Sequence, residues 1–225
     1  MRSSWGGFAR LKPWPVNGRT PIGTAARLVF VLGLRKSSKD ADDDVAAVRS
    51  GSSTIRLAKE IRIFDDIVLG DFVDDYVNLT LKSLLILKMM SEQCRNARFL
   101  LKCDQDVFVN VPHVVDLLRG VAGVNRTFIG RVRRNQQPWR SGKYKVTEDE
   151  YPLDVFPPYV RGPAYVVTND LARDLLEAAE YVPSLVLEDV FITVILGQVL
   201  AANHARMCTA SAIETETADR VDAMS

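Results

Sequence analysis

From Arg27 to Gly120 the chain alternates short apolar runs with longer helical patterns, and this alternation narrows the fold more than any other feature. "RLVFVLG" (27–33) is a nearly continuous apolar run closed by Gly33, the pattern of a strand buried on both faces in a parallel sheet. A charged loop, "KSSKDADDD" (36–44), precedes a helix expected over Val45–Lys59. "IRIFDDIVLGDF" (61–72) carries further apolar pieces. "DDYVNLTLKSLLILKMMSEQC" (74–94) is a long helical pattern of strong helix formers that Asp74 or Asp75 would cap. The strand "RFLLKC" (98–103) follows. Asn110 is placed to cap a short helix with Pro112 in its first turn and Gly120 just past its end. Strand, helix, strand and helix over about 100 residues predict an α/β fold with a mainly parallel sheet.

The second half is less regular. "RTFIGRVRRN" (126–135) reads as a strand running into a basic loop, and residues 139–170 mix aromatic, proline and glycine residues over a long span. Loops of that length are usually functional or disordered, and this one is too aromatic for disorder. "LARDLLEAAEYV" (171–182) is a helix pattern with Asn169 or Asp170 as cap, and Pro183 bounds the stretch before "SLVLEDVFITVILGQVL" (184–200). The reading is an irregular lead-in at 1–26, one domain over 27–213, and an acidic tail without aromatics at 214–225 that is expected to be disordered. No internal repeat is visible.

Charge narrows the choice of partners. Twenty-nine basic and 28 acidic residues leave a net charge of +1, with no basic stretch to follow a phosphate backbone, so no nucleic-acid partner is expected. The apolar run Val190–Ala202 contains Gly197 and Gln198 and falls short of the roughly 20 residues that cross a bilayer. "MRSSWGGFAR" has no apolar stretch behind its arginine and does not read as a signal peptide. Cys94, Cys103 and Cys208 are too few for a disulfide framework and suit no zinc site; buried free thiols are the simpler reading, with one disulfide as the alternative.

In open parallel sheets ligands bind beyond the carboxyl ends of strands, and Asp104 and Asp106 stand where the strand "RFLLKC" would end. Two carboxylates at i and i+2 can face one hard divalent cation. Acidic residues also form turns after strands, and spacing alone favours that plainer role. Glu188 and Asp189 have a plain role too, as carboxylates at a helix N-terminus. Aromatic residues of the long loop, among them Trp139, Tyr144, Tyr151, Tyr159 and Tyr165, could stack on a sugar, although core filling is the commoner use. Asn78 and Asn125 begin N-x-T sequons.

The wider text tips the balance. "DFVDDYVNLTLK" (71–82), "KCDQDVFVN" (102–110), "YPLDVFPPYVRGPAYVVT" (151–168) and "LEDVFI" (187–192) occur in order. Together they resemble the beta-1,3-glycosyltransferases of glycosyltransferase family 31, with their D-F-x-D-x-Y-x-N-L-T-x-K, K-x-D-D-D-x-F-x-N, Y-P-x-Y-x-x-G-x-x-Y-V and E-D-V motifs. "RSSW" (2–5) resembles the end of that family's I-R-x-T-W element. The middle aspartate of the family's triplet is Gln105 here, while the outer pair is kept.

The resemblance implies a GT-A fold, a Rossmann-like and mainly parallel sheet with flanking helices. It implies a metal-dependent, inverting transferase that moves galactose or N-acetylglucosamine from a UDP-sugar to a hydroxyl of an oligosaccharide, glycoprotein or glycolipid in beta-1,3 linkage. Asp104 and Asp106 would hold Mn2+ or Mg2+, with His204 as a further ligand, and Lys102 would touch the cofactor or the phosphates. Asp189, or Glu188 beside it, would be the general base, and Tyr159, Gly162 and Tyr165 would contact substrate. The family often has a glycine four or five residues beyond the aspartate, where Thr193 and Val194 stand here; bulk there would narrow a pocket.

The family is Golgi-resident, with its catalytic region on the luminal side of the membrane and one N-terminal anchor helix. No such helix is legible in this sequence, which implies a luminal catalytic region or a truncated gene product. A catalytically inactive domain that binds nucleotide-sugar or glycan is the alternative from a different class, and a D-x-D phosphohydrolase is a third reading.

Overall fold

The computed structural model describes residues 26–34, 52–206 and 213–215. β1 (Phe30–Leu34) and β2 (Ile67–Val73) pair in parallel from Phe30↔Ile67 to Leu34↔Val73, and α1 (Ser52–Phe64) connects back to β2. The order is the expected strand, helix and strand, but the helix is displaced. Its expected start at Val45 lies outside the described residues, and the chain stays helical through Ile61–Phe64. Asp65 stops it: its φ of 49° is left-handed and its N–H reaches back to the carbonyl of Ile61 at 3.0 Å, a helix ending that a short polar side chain accepts at small cost. β1 is half-buried rather than enclosed on both faces.

A single 3-10 turn, Tyr76–Asn78, leads into α2 (Leu79–Gln93). Asp75 caps that turn by accepting the Tyr76 N–H at 2.6 Å. Asp74 does a different job: it accepts the N–H of Gly33 at 2.9 Å and Lys82 Nζ at 2.5 Å, tying the start of α2 to β1.

β3 (Phe99–Cys103) enters a four-stranded sheet of order β3-β6-β5-β7, where β5 is Thr127–Arg133, β6 is Tyr159–Thr168 and β7 is Asn203–Arg206. β6 is antiparallel to both of its neighbours, and only β5 and β7 pair in parallel. The architecture is therefore mixed α/β, and the expectation of a mainly parallel sheet is corrected. A parallel neighbour needs a crossover, usually a helix. Residues 134–158, between β5 and β6, contain none, so β6 runs back alongside β5.

β4 (Val107–Val109) pairs with β8 (Ile213–Thr215) as an antiparallel ribbon. Strand structure thus runs two residues past the expected boundary at 213. Residues 216–225 and 1–25, with the lead-in and "RSSW", lie outside the described residues.

α3 (Val111–Gly120) begins as predicted, with Asn110 Oδ1 accepting the N–H of His113 at 3.2 Å. α4 (Asn169–Ala179) does not: Thr168 precedes it, while Asn169 donates to the carbonyl of Arg95 and Asp170 accepts the N–H of Arg126. The last helix comes in three pieces, α5 (Glu188–Val190), a π-helical stretch Phe191–Leu196, and α6 (Gly197–Val199).

Tyr165 and Val167 alternate with Ala164 in β6, and Val160 joins their side beyond a register shift, which divides the core. Val160, Tyr165 and Val167 pack with Leu87 of α2, Leu171 of α4 and Phe191, whereas Ala164 packs with Val107, Val109 and Val114 on the other side. Full burial of each large apolar side chain contributes about 1.5–3 kcal/mol, and this two-sided cover is what holds the carboxyl end of β3 in place. Among the described residues, no helix is long and apolar enough to cross a membrane.

Candidate active site

β3 ends at Cys103, although its partner strand remains β6. The next N–H, of Asp104, bonds the carbonyl of Pro163 at 2.9 Å, and Val107 N–H then closes a turn on the Asp104 carbonyl at 3.3 Å. The turn role of "DQDV" is therefore real, and it does not exclude a functional one. It leaves Asp104 half-buried and Gln105 and Asp106 exposed.

Lys102 lies opposite Tyr165 in the β3–β6 ladder, so both side chains share a face. Its side chain is 9% exposed, and its ammonium stands 5.7 Å from the Tyr165 ring centroid. It donates to Asp104 Oδ1 at 2.7 Å and to the Gly162 carbonyl at 2.8 Å, and it lies 3.4 Å from Glu188 Oε2. Burial works against this charge, but Glu188 and Asp104 beside it more than offset the penalty, and the Lys102 pKa lies above its ordinary value. Of the three donors of an ammonium, two serve Asp104 and Gly162, and Glu188 is an ion-pair partner. Lys102, expected at the cofactor or the phosphates, is engaged by Asp104, Gly162 and Glu188 in this structure.

Glu188 is 5% exposed. Its Oε1 accepts from the Ser83 hydroxyl at 2.6 Å and from the Tyr165 hydroxyl at 2.5 Å. Tyr165, expected to meet substrate, is itself buried, edge-on to Phe128, and burial followed by the Glu188 charge raises its pKa.

Asp189 differs from its neighbour. Its carboxylate accepts the Gly162 N–H at 2.8 Å and the Val190 N–H at 2.9 Å. Burial, then the adjacent Glu188 charge, raises its pKa to about 6 against the two N–H groups and Lys102, which lower it. A Cβ on Gly162 would meet Asp189 Oδ2, Cβ and Cγ at 3.2–3.3 Å, so glycine lets the strand backbone approach the carboxylate. Tyr159 belongs to the same surroundings: burial and then Asp189 push its hydroxyl up to about 12.

Thr193 and Val194, where the family often has glycine, lie inside the fold. Both are fully buried, and Thr193 Oγ1 donates to the Asp189 carbonyl and accepts the Val160 N–H, pinning α5 to β6.

Six of the expected site residues, Lys102, Asp104, Gly162, Tyr165, Glu188 and Asp189, thus form one connected cluster. Asp106 joins through charge: the pKa of Asp104 is raised by burial first, and Glu188 and Asp106 add to this while Lys102 opposes it. His204 lies on β7, opposite Phe128 and three strand spacings, roughly 14 Å, from β3; its side chain is outside the described residues.

An aromatic wall was only partly legible. Trp139 and Tyr144 have ring centroids 5.2 Å apart, Tyr76 meets Tyr144 at 5.7 Å, and Lys143 Nζ stands 4.8 Å from the Tyr76 centroid. The Tyr76 hydroxyl is pushed well up, by burial first, then by Tyr144 and by the charges of Asp189 and Asp104. Tyr76 was not singled out as a site residue, although it occupies the tyrosine position of the D-F-x-D-x-Y pattern. Ser83 left no such signal.

Among the described residues, no group of three or more His, Cys, Asp or Glu side chains is placed to hold a metal ion by itself. Asp104 and Asp106 are oxygen donors of the kind a hard divalent cation takes, and substrate phosphates and water would have to complete its shell.

The sequence model of the family described as Galactosyltransferase matches residues 1–207. This chain belongs to the galactosyltransferase family. Beta-1,3-galactosyltransferase 5 of Gorilla gorilla gorilla is 32% identical over 194 residues, covering 85% of this chain and 57% of that protein. Lactosylceramide 1,3-N-acetyl-beta-D-glucosaminyltransferase of Xenopus tropicalis is 34% identical over 196 residues, 85% of this chain and 48% of that protein. The human protein of the same name is 37% identical over 142 residues, 61% of this chain and 38% of its own length. The chain therefore spans about half the length of these relatives. The β3 turn and α5, which carry its carboxylates, and β6, which carries Gly162, all lie inside the matched region.

Proposed function

We propose that the protein is a metal-dependent inverting glycosyltransferase of GT-A type. In this reading it transfers galactose or N-acetylglucosamine from a UDP-sugar to a hydroxyl of an oligosaccharide, glycoprotein or glycolipid, in beta-1,3 linkage, within the Golgi lumen. The observation that carries the proposal is Asp189, a carboxylate oriented by two backbone N–H groups, with a pKa near 6, beside the Asp104 turn.

A base is most useful when its pKa lies near the working pH, and at neutral pH Asp189 is ionised and ready to accept a proton. It takes the proton of the acceptor hydroxyl as that oxygen bonds the anomeric carbon from the face opposite the diphosphate. The bond from that carbon to the diphosphate oxygen breaks, its electron pair leaves with UDP, and the configuration inverts. A divalent cation at Asp104 and Asp106 would supply Lewis-acid neutralisation of the departing diphosphate. Tyr76, Tyr144 and Trp139 offer ring faces on which an acceptor sugar can stack.

The test is UDP release from UDP-galactose and UDP-N-acetylglucosamine, with Mn2+ or with chelator, by the unmutated protein and by Asp104→Ala, Asp106→Ala and Asp189→Asn. Release that needs Mn2+ and is lost in all three variants is expected. Nucleotide-sugar binding without release by the unmutated protein would identify a non-catalytic binding domain instead.

A further inference from the structure

Four residues of the site close a ring. Glu188 Oε2 faces Lys102 Nζ at 3.4 Å, Lys102 donates to the Gly162 carbonyl at 2.8 Å, and the Gly162 N–H donates to Asp189 Oδ2 at 2.8 Å. Asp189 follows Glu188 in the chain. Both main-chain polar groups of Gly162 are therefore engaged by side chains of the ring, beyond Ala164, where the β3–β6 ladder stops.

The ring is anchored from outside. Ser83 of α2 and Tyr165 of β6 both donate to Glu188 Oε1, which leaves the other oxygen turned to Lys102. Elements far apart in sequence, α2, β3, β6 and α5, thus meet at a single backbone position.

We propose that this ring is a positioning device for Asp189. Ser83 and Tyr165 fix Glu188, Glu188 fixes Lys102, and Lys102 holds the Gly162 backbone whose N–H orients the Asp189 carboxylate. Glu188 and Lys102 then act on the reaction through Asp189 without touching substrate. The inference rests on the reading of Asp189 as the base, and it adds Ser83 to the machinery.

The test uses the full chain and two readouts. The first needs no activity: hydrogen exchange of the Gly162 amide, followed by NMR in the unmutated protein and in Ser83→Ala, Ser83→Thr and Lys102→Met. In Ser83→Ala and Lys102→Met the Gly162 amide exchanges at least tenfold faster, while the Val166 and Val167 amides of the same strand are unchanged; Ser83→Thr restores slow exchange. The second is turnover of UDP-galactose or UDP-N-acetylglucosamine with a lactoside acceptor. Ser83→Ala lowers kcat about tenfold with both KM values within twofold, Ser83→Thr recovers it, and Ser83→Ala adds nothing to Asp189→Asn.

Unchanged Gly162 exchange, or faster exchange with unchanged kcat, overturns the proposal. So does a Lys102→Met effect confined to donor KM, which would return Lys102 to the phosphates. An Asp189→Asn variant with undiminished kcat refutes the base assignment itself, and the exchange data then still report whether the ring holds Gly162. Should Lys102→Met not fold, Ser83→Ala and Ser83→Thr decide alone.

Discussion

Asp189 should reveal itself in the pH dependence of stability. A carboxyl whose pKa rises from 3.8 in the unfolded chain to about 6 in the fold carries a folding cost of about 3 kcal/mol once ionised, at 1.36 kcal/mol per pKa unit. The sign follows from proton counting. Between the two pKa values the native protein holds a proton that the unfolded chain has lost, so stability falls as pH rises through this window and is flat above it. The cause is burial first and the Glu188 charge second, only partly offset by the N–H groups of Gly162 and Val190. Asp189→Asn removes the titrating group. Urea unfolding of both proteins at pH 4, 5, 6 and 7 should show the asparagine variant gaining about 2.4 kcal/mol relative to the unmutated protein across that range. Two parallel stability profiles, or a relative loss, would refute the burial argument for Asp189. The same group predicts a kcat/KM that falls on acidification below about pH 6, because a protonated carboxyl cannot accept the acceptor's proton.

Gly162→Ala places a Cβ against the Asp189 carboxylate at 3.2 Å; a fall in kcat of about tenfold or more is expected from steady-state kinetics, since small misplacements of a reacting group are costly. Arg140 donates to the carbonyls of Val146, Thr147, Tyr151 and Leu153, taking up backbone groups that the irregular loop cannot pair within itself. Arg140→Met should lower unfolding free energy by about 2–4 kcal/mol, and limited proteolysis should cut first within 134–158. Thr80 donates its buried hydroxyl to the Leu185 carbonyl at 2.8 Å; Thr80→Val should cost about 1–3 kcal/mol in chemical denaturation by leaving that carbonyl unpaired.

Local chemistry was legible where local residues decide the outcome. Asn110, Pro112 and Gly120 bracket α3 in both sequence and structure, and the apolar run before Asp104 is β3. The four ordered motifs named the cluster that the fold assembles around Lys102. The direction of β6 was not legible, because period-two patterning marks a strand without saying which neighbour it joins. Asp74 looked like a helix cap, yet Gly33 and Lys82, both distant from it in the chain or across a turn, claim it. Ser83 looked like one more position in a helix of strong formers. Its bond to Glu188 spans 105 residues, and no local pattern encodes such a separation. The Thr193 and Val194 departure from the glycine pattern suggested a narrowed pocket; what the fold adds is that both are buried and that Thr193 bonds Val160 of β6.

The most direct measurement is proton NMR of the product made from UDP-galactose or UDP-N-acetylglucosamine, a lactoside acceptor and Mn2+ by the full chain. A single new sugar in β configuration on a C3 hydroxyl, absent when Asp189 is replaced by asparagine, is the expected result. An α-linked product, free sugar alone, or a β-linked product that persists in Asp189→Asn would contradict the assignment of Asp189 as the base of an inverting transferase.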